Sequence, residues 1–531
     1  MKHISHTKLG LSLLAVGLTA MVALGTTGQA HAASVQWGAC PPPPTGIPDA
    51  GQQCATISVP KDYRKPSGEH INVAISRVTA ANPSKRRGIL LTNPGGPGGS
   101  GIDLPRVMTI ILPQSVLDSY DIIGMDPRGI GASTPVTCGL TATQANQAYV
   151  PLTQNHSFAD TTAFVHSVAD GCAAHSGNLM PYITTANTAR DMDQIRQSLG
   201  EQKVSYLGYS YGTYLGAVYA SLFPAQTDRI VLDSSVNPDN VWRQVFRDWG
   251  PAGDSRFNDF TKFAAANDST YHLGTTQIQI DALYFQLIAQ TAAHPYTVPA
   301  GTHNGLAPDG TVLTDTFLRE VAFSALYDDA SFPSLAQLFH VMKTVPSATA
   351  ATTPSPATTS APADNEAAAG LGVVCDDTAW PTLPTIYQVG LLTDKIVAPK
   401  FGELGSNIWP CAFWHSRPLE QPVAISSNGP TNNILVVQDE RDPATPYAGG
   451  VHMRTELGQR ARLISADQGG HAAYELKPNL CVNDTVTAYL ANGTYPQSDV
   501  NCPANPVMTP LTVDNSARAA AVQHMLKQMR P

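Results

Sequence analysis

Charged residues are scarce in this sequence, and their balance is acidic. Only 14% of the 531 residues are charged, and the formal net charge is −9. Because an excess of negative charge repels nucleic acid and anionic lipid, neither is expected as a partner. After the N-terminal segment, no stretch reaches the roughly 20 apolar residues that a membrane-spanning helix needs. The sequence therefore predicts no membrane-embedded segment in the mature protein.

Metal-binding motifs are missing as well. The chain contains no Cys-x-x-Cys pair and no His-Glu-x-x-His motif, so a zinc site has no support in the sequence. We expect no metal and no other cofactor. Any chemistry must then come from side chains and backbone groups alone.

Residues 1–32 have the features of a secretory signal peptide. Lys2 and Lys8 precede an apolar stretch over residues 9–24, and Ala30-His31-Ala32 fits a small-residue cleavage signal. We therefore expect export, cleavage near Ala32 and a mature protein outside the cell.

All eight cysteines lie in the mature part of the chain. An even number of cysteines in an exported protein indicates disulfides. Eight cysteines allow on the order of 100 pairings, and sequential pairing is our prediction among them. It joins Cys40 to Cys54, Cys138 to Cys172, Cys375 to Cys411, and Cys481 to Cys502.

Short apolar runs alternate with helical patterns over residues 71–222. Runs such as 88–92 and 120–125 are typical of buried strands, and 188–199 is typical of a helix. Alternating strands and helices predict a mostly parallel sheet with helices on both faces. The sequence thus indicates the α/β class.

The alternating pattern stops near residue 238 and returns with strand-like runs at 433–438 and 461–465. Within the interruption, residues 345–370 consist mainly of Ala, Thr, Pro and Ser, a composition typical of a disordered linker. The chain therefore divides into a core in two parts, 33–237 and 416–531, and a helical cap, 238–415.

The first sign of chemistry is the pentapeptide Gly208-Tyr209-Ser210-Tyr211-Gly212. It follows an apolar run at 204–207 and precedes a helical pattern at 213–222. Strand, tight turn and helix form the setting of a nucleophile elbow. Glycines are needed there because the serine backbone is strained and a Cβ would crowd the turn. Ser210 is the predicted nucleophile.

A serine nucleophile needs a base, and the base needs a carboxylate that orients it. His471 lies in a glycine-rich loop after the run 461–465, a position that favours a base over a solvated loop histidine. Asp439, Glu440 and Asp442 compete as the carboxylate. Asp442 is preferred because it stands a few residues into its loop beside Pro443, whereas Asp439 fits a turn residue and Glu440 is the weakest candidate.

A glycine-rich loop over residues 93–101 follows the strand-like run 88–92. It can supply a backbone N–H from Gly96 that joins the N–H of Tyr211 in an oxyanion hole. A phosphate-binding loop is the alternative, but no Gly-Lys-Ser/Thr follows and the prolines remove donors. The next motif, residues 126–133, predicts a structural turn held by a bond between Asp126 and Arg128.

Together these motifs resemble the secreted actinobacterial tripeptidyl aminopeptidases, relatives of the proline iminopeptidases in the α/β-hydrolase superfamily. The resemblance rests on residues 93–101, 126–133, 208–212, 442–446 and 469–471, and on the tail from Cys481 to Cys502. It implies an α/β-hydrolase fold with a helical cap inserted after the strand that follows the nucleophile helix.

The resemblance also implies roles for individual residues. Ser210, Asp442 and His471 would form the catalytic triad, with Gly96 and Tyr211 as oxyanion donors. The implied reaction is the release of short peptides, tripeptides by the family name, from free N-termini.

Such an enzyme must hold the α-ammonium group of its substrate. Asp377 and Glu440 are the candidate substrate-binding residues, although a helix end or a turn beside a disulfide explains Asp377 equally well. An extracellular carboxylesterase or lipase with the same triad is the main alternative function, and a catalytically inactive binding module is another. The protein is expected to act as a monomer on peptide or protein substrates.

Overall fold

The part of the chain that the structure describes contains twelve strands, eighteen α-helices and seven short 3-10 helices. This computed structural model describes residues 35–148, 157–348, 361–505 and 515–529. The strands are β1 (Gly38–Ala39), β2 (Gln53–Pro60), β3 (His70–Val78), β4 (Gly88–Asn93), β5 (Tyr120–Met125), β6 (Val204–Tyr209), β7 (Thr227–Asp233), β8 (Tyr296–Thr297), β9 (Val312–Leu313), β10 (Ile434–Arg441), β11 (Ala461–Gly469) and β12 (Val500–Cys502).

The helices lie between these strands and after the last one. They are α1 (Leu104–Ile111), α2 (Gln114–Leu117), α3 (Ala142–Ala148), α4 (Phe158–Ser176), α5 (Thr185–Ser198), α6 (Tyr211–Leu222), α7 (Arg243–Arg247), α8 (Trp249–Ala266), α9 (Asp268–Tyr271), α10 (Gln277–Ala293), α11 (Asp315–Ala325), α12 (Phe332–Thr344), α13 (Asn365–Asp377), α14 (Pro384–Val397), α15 (Gly402–Ser406), α16 (Tyr447–Leu457), α17 (Leu480–Asn492) and α18 (Asn515–Met529).

Ten strands form one sheet in the order β1-β2-β3-β5-β4-β6-β7-β10-β11-β12. The seven strands from β5 to β12 run parallel, and β1 to β3 are joined to that edge by antiparallel pairing. The predicted mostly parallel α/β-hydrolase sheet is confirmed.

The central strands are apolar because both of their faces are covered. Successive residues of a strand point to opposite faces, and β6 follows this rule: Tyr206 belongs to one buried cluster while Leu207 belongs to the other. The neighbouring residues Leu90 and Leu91 of β4 divide between the two clusters in the same way. Continuous apolar runs are what such doubly covered strands require.

Helices α7 to α15 and the small β8–β9 hairpin lie between β7 and β10 in the chain. This is the predicted position of the cap, after the strand that follows α6. The domain boundaries at 33–237, 238–415 and 416–531 stay a prediction. The linker prediction is wrong at its end, because residues 365–370 form the start of α13, where Ala368 and Ala369 are buried. Residues 349–360 of that segment lie outside the described residues.

All four predicted disulfides are confirmed: Cys40–Cys54, Cys138–Cys172, Cys375–Cys411 and Cys481–Cys502. The predicted signal peptide, residues 1–32, lies outside the described residues. Among the helices of the described ranges, none has the length and apolar character to cross a bilayer.

The strand order creates a crevice at one point of the sheet. β5 follows β4 in the chain and pairs on one side of it, whereas β6 pairs on the other side. The loops that leave β4 and β6 therefore separate at the carboxyl edge of the sheet, where open α/β sheets bind their ligands.

Candidate active site

Ser210 occupies the sharp turn between β6 and α6. Its backbone is left-handed, with φ 55° and ψ −125°, a strained conformation for a residue with a side chain. Its N–H donates to the carbonyl of Asp233 at 3.0 Å, and its carbonyl accepts from the N–H of Thr213 at 2.9 Å. These bonds hold the turn in place, so the strain is balanced by the surrounding structure.

The two glycines of the pentapeptide are required by close contacts. A Cβ on Gly208 would lie 2.5 Å from the ring of Tyr206 and 2.6 Å from the carbonyl oxygen of Gly212. A Cβ on Gly212 would lie 2.7 Å from the side-chain oxygen of Asn93. The pattern read in the sequence is therefore a packing requirement of this turn.

His471 and Asp442 form a buried pair after β11 and β10. The Nδ1 atom of His471 lies 2.8 Å and 3.0 Å from the two carboxylate oxygens of Asp442. The N–H groups of Ala444 and Thr445 donate to the same carboxylate at 2.8 Å and 2.9 Å, and the hydroxyl of Thr445 donates at 2.9 Å. Burial alone would raise the pKa of Asp442, but the charge of His471, its hydrogen bond and the N–H of Thr445 hold this pKa below its usual value.

The second ring nitrogen of His471, Nε2, is buried and has no hydrogen-bond partner among the described residues. Thr445 and Tyr327 both contact the His471 ring, and both line the cleft that contains Ser210. A histidine with Nδ1 bonded to a carboxylate keeps Nε2 available for proton transfer.

The backbone of the glycine-rich loop after β4 approaches Ser210 closely. Gly95 has φ 111°, and a Cβ there would lie 2.8 Å from the Cβ of Ser210. Gly96 and Tyr211, the predicted oxyanion donors, line the same cleft. The loop therefore needs glycine at this approach to the serine.

The loop that carries His471 is tied to the end of β7. The Ser234 hydroxyl accepts from the N–H of Ala472 at 2.8 Å. The Asp233 carboxylate accepts from the N–H groups of Ala473 at 3.0 Å and Tyr474 at 2.7 Å. Burial raises the pKa of Asp233 to about 7, with the nearby Asp439 adding to the rise and these two amides opposing it.

The competing carboxylates Asp439 and Glu440 do not contact His471. Asp439 is buried and accepts from Lys477 and Gln468, both at 2.7 Å. Glu440 is exposed on β10, and its side chain makes no hydrogen bond with a described residue. Of the three acids near the end of β10, only Asp442 contacts His471.

Asp377 lies behind the cleft rather than in its lining. It accepts from the N–H and hydroxyl of Thr185 at 2.8 Å and 2.5 Å and from the indole N–H of Trp242 at 3.1 Å. Trp242, by contrast, lines the Ser210 cleft. The structure thus does not support Asp377 as a residue that contacts the substrate, because three donors occupy its carboxylate.

The predicted bond between Asp126 and Arg128 is wrong. Arg128 reaches helix α5, where both its atoms Nε and Nη2 donate to the buried Asp191 at 2.7 Å and 2.6 Å. Asp126 instead accepts from the hydroxyl of Ser100 at 2.6 Å and from the N–H of Ala132 at 2.8 Å. The motif is structural, as predicted, but it fastens the glycine-rich loop.

A larger cavity of about 640 Å³ adjoins the Ser210 cleft, with which it shares Pro97 and Trp249. Its lining includes Glu320 of α11, Glu366 of α13 and Lys527 of α18. Sequence reasoning missed these residues because they come from remote segments without a motif. Within the described ranges, no group of three or more His, Cys, Asp or Glu side chains is placed to hold a metal ion.

Known proteins with similar sequences include named peptidases. Residues 398–502 match the family described as TAP-like protein. A tripeptidyl aminopeptidase from Streptomyces lividans is 35% identical over 469 residues, which cover 85% of this chain and 83% of that protein. Serine protease Hip1 from Mycobacterium bovis is 29% identical over 503 residues, covering 88% and 91%.

One relative carries a different name. A protein named Carboxylesterase B from Mycobacterium tuberculosis is 30% identical over 465 residues, which cover 85% of this chain and 86% of that protein. The higher identity is to the aminopeptidase, over the same share of the chain. The chain belongs to the tripeptidyl aminopeptidase family, a family of serine peptidases with the α/β-hydrolase fold.

Proposed function

We propose that this protein removes short peptides, tripeptides in particular, from the free N-termini of peptides and proteins through an acyl-enzyme on Ser210. The observation that carries the proposal is the buried His471, with Nδ1 bonded to Asp442 and Nε2 unpaired among the described residues. Ser210 in its strained turn, together with the family relationship, supports the same chemistry.

The proposed reaction has two steps. His471 Nε2 accepts the hydroxyl proton while Ser210 Oγ attacks the peptide carbonyl, and the N–H groups of Gly96 and Tyr211 stabilise the oxyanion. The C–N bond breaks, the leaving amine takes the proton from His471, and the shortened chain departs. Water then attacks the ester with His471 as base, which releases the peptide and restores Ser210.

Substitution and labelling test this assignment. Ser210→Ala should lose turnover of a tripeptidyl p-nitroanilide and labelling by a fluorophosphonate probe. Ser221→Ala, on the same helix, is the matched control and should keep both. Full turnover by Ser210→Ala would refute the nucleophile assignment.

A preference for free N-termini requires a negative group that meets the substrate ammonium. Glu320 is our candidate, because it lines the cavity next to the Ser210 cleft and its side chain makes no hydrogen bond or ion pair with any described residue. Burial raises the pKa of Glu320 to about 7. Glu366, in the same cavity, faces the charge of Lys527, which opposes the rise in pKa that burial causes there. Of these two carboxylates, Glu320 is therefore the one whose ionised form an incoming ammonium group would stabilise more.

Two substrates that differ only at the amine test the role of Glu320. With Glu320→Gln, kcat/KM for the free-amine tripeptidyl substrate should fall roughly 10- to 100-fold, mainly through KM, because a charge-assisted contact is lost. Turnover of its N-acetyl analogue should be unchanged. Glu456→Gln, an exposed residue of α16, serves as control. Equal losses on both substrates would contradict the proposal.

An esterase is the second candidate function, and the relative named Carboxylesterase B is the observation in its favour. Steady-state kinetics on tripeptidyl p-nitroanilides and on p-nitrophenyl acetate and butyrate separate the two. We expect a clear preference for the peptide with a free amine. Faster ester turnover, with no effect of acetylating the peptide, would favour the esterase.

We also propose that the protein is exported after cleavage near Ala32 and acts as a monomer. Four disulfides support an oxidising compartment. N-terminal sequencing of the protein recovered from culture medium should begin near Ala33. Light scattering should give the mass of one chain. An uncleaved N-terminus would refute cleavage near Ala32, and the mass of a dimer would refute the monomer.

A further inference from the structure

The C-terminal helix α18 returns to the carboxyl edge of the sheet. Met525, Leu526 and Met529 are buried in one of the two core clusters, beside α1. Arg518, near the start of the helix, donates to the carbonyl of Ile111 at 3.1 Å. The helix is therefore anchored along its length, and its last turn has a defined position.

That last turn contacts the glycine-rich loop after β4. The side-chain oxygen of Gln528 accepts from the N–H of Ser100 at 3.0 Å. A Cβ on Gly99 would lie 2.9 Å from the carbonyl oxygen of Gln528, so helix and loop backbones are in close contact. Gln528 and Lys527 also line the larger cavity.

Helix α13 contacts the same loop at a different residue. The carbonyl oxygen of Glu366 lies so near Gly98 that a Cβ there would overlap with it. The loop that contains Gly96 is thus held by α13, by α18 and by the carboxylate of Asp126, which accepts from the hydroxyl of Ser100 and the N–H of Gly101. Of these three supports, only α18 also contributes a side chain to the Ser210 cleft.

That side chain is Met529, which is 1% exposed and lines the cleft together with Ser210 and Trp242. Methionine is flexible and adapts its shape to apolar neighbours. At this position it limits the space beside the serine, where the residues next to the scissile bond must fit.

We propose that α18 completes the substrate site. Gln528 is a positioning residue for the glycine-rich loop that contains Gly96, and Met529 determines which side chains fit beside Ser210. The inference rests on the proposed role of Ser210 as nucleophile. It gives the last helix of the chain a role in catalysis and specificity, beyond its role in packing.

The Gln528 part is tested with three variants. Gln528→Ala should lower kcat for a tripeptidyl p-nitroanilide roughly 3- to 10-fold, with a smaller change in KM, because the oxyanion donor is held less firmly. Gln528→Glu keeps an oxygen acceptor for Ser100 and should recover most of the loss. Gln523→Ala, exposed on the same helix, is the control. A loss in KM alone, or no recovery in Gln528→Glu, would overturn this role.

The Met529 part is tested with two substrate series, one varied before and one after the scissile bond from Ala to Leu to Phe. Met529→Ala should raise kcat/KM for Phe relative to Ala roughly 10-fold in one series, because the cleft is larger. Unchanged ratios in both series would overturn the specificity role.

Labelling separates this inference from the proposed function. Gln528→Ala and Met529→Ala should still react with the fluorophosphonate at Ser210, which shows that they are folded. If Ser210→Ala is inactive while both variants behave like Gln523→Ala, only the role of α18 fails. If Ser210→Ala stays active, the proposed function fails, and this inference fails with it.

Discussion

Two buried carboxylates near the end of β10 differ in their partners, and this difference supports the proposed role of Asp442. Asp442 accepts from His471 and from the amides of Ala444 and Thr445. Asp439 accepts from Lys477, whose positive charge opposes the rise that burial causes in its pKa. The preference for Asp442 came from its place in the loop, and the contacts agree with it.

The first prediction concerns this pair. Asp442→Asn should lower kcat on the order of 10⁴-fold, because the amide cannot hold His471 in the productive tautomer. Asp439→Asn should keep most of kcat but lower the melting temperature, because Lys477 loses a buried partner. Peptidase kinetics and thermal unfolding of both variants check this, and a reversed pattern of kcat losses would reject Asp442.

The second prediction concerns pH and the buried carboxyl of Asp376. Burial raises its pKa to about 7, although Ser416 and Trp414 donate to it and oppose the rise. Between about pH 4 and 7 the unfolded chain has lost this proton while the folded chain keeps it. Stability should therefore fall as pH rises through this window.

Asp376→Asn removes that titration. The decrease in unfolding free energy between pH 4.5 and 7.5 should become smaller by roughly 1–4 kcal/mol. Urea unfolding at several pH values measures it, and Asp484→Asn, which is exposed, serves as control. A pH dependence as steep as that of the wild type would show that Asp376 ionises normally.

At the scale of elements, the sequence predicts what depends on local pattern and misses what depends on packing. The apolar runs in the sequence predict β4, β5 and β6 to within two residues of their ends, because strands buried on both faces need apolar side chains. β2 was missed, since its first residues are partly exposed at the antiparallel edge. The composition of residues 345–370 predicts a linker, whereas α13 begins within this segment. Its alanines are buried by tertiary contacts, which composition cannot predict.

The site shows the same division. The motifs around Ser210, Asp442 and His471 follow strands at fixed positions, so the sequence predicts them. Glu320 and Gln528 lie on helices without a motif and reach the cavity only through the tertiary fold. Residues of this kind cannot be found from one sequence.

The third prediction concerns the tie between β7 and the His471 loop. Ser234→Ala removes the acceptor for the N–H of Ala472, a residue with φ 67°. We expect kcat to fall roughly 3- to 10-fold because the loop is held less firmly. Ser235→Ala is the control, since that hydroxyl makes only a 3.5 Å contact to a carbonyl. Equal kinetics of the two variants would show that the tie does not matter for catalysis.

For the whole molecule, the four disulfides differ in what they stabilise. Cys375–Cys411 joins α13 to the segment Pro410–Phe413 within the predicted cap. Asp376, the residue after Cys375, accepts a hydrogen bond from the indole N–H of Trp414. The next residue, Asp377, accepts from the indole N–H of Trp242, which lines the cleft. Cys40–Cys54 instead joins β2 to the segment before it, at the antiparallel edge of the sheet. The first disulfide thus lies beside residues that hold the cleft wall, whereas the second lies at the edge of the sheet.

The fourth prediction follows from this difference. The double variant Cys375→Ser/Cys411→Ser opens a loop with a sequence separation of 36 and should lose about 3–4 kcal/mol of unfolding free energy. Its KM for the tripeptidyl substrate should also rise, because Trp242 loses its fixed support. Cys40→Ser/Cys54→Ser, with a separation of 14, should lose about 3 kcal/mol and keep its kinetics. Urea unfolding and steady-state kinetics measure both effects, and an unchanged KM in the first variant would mean that Trp242 is held without this disulfide.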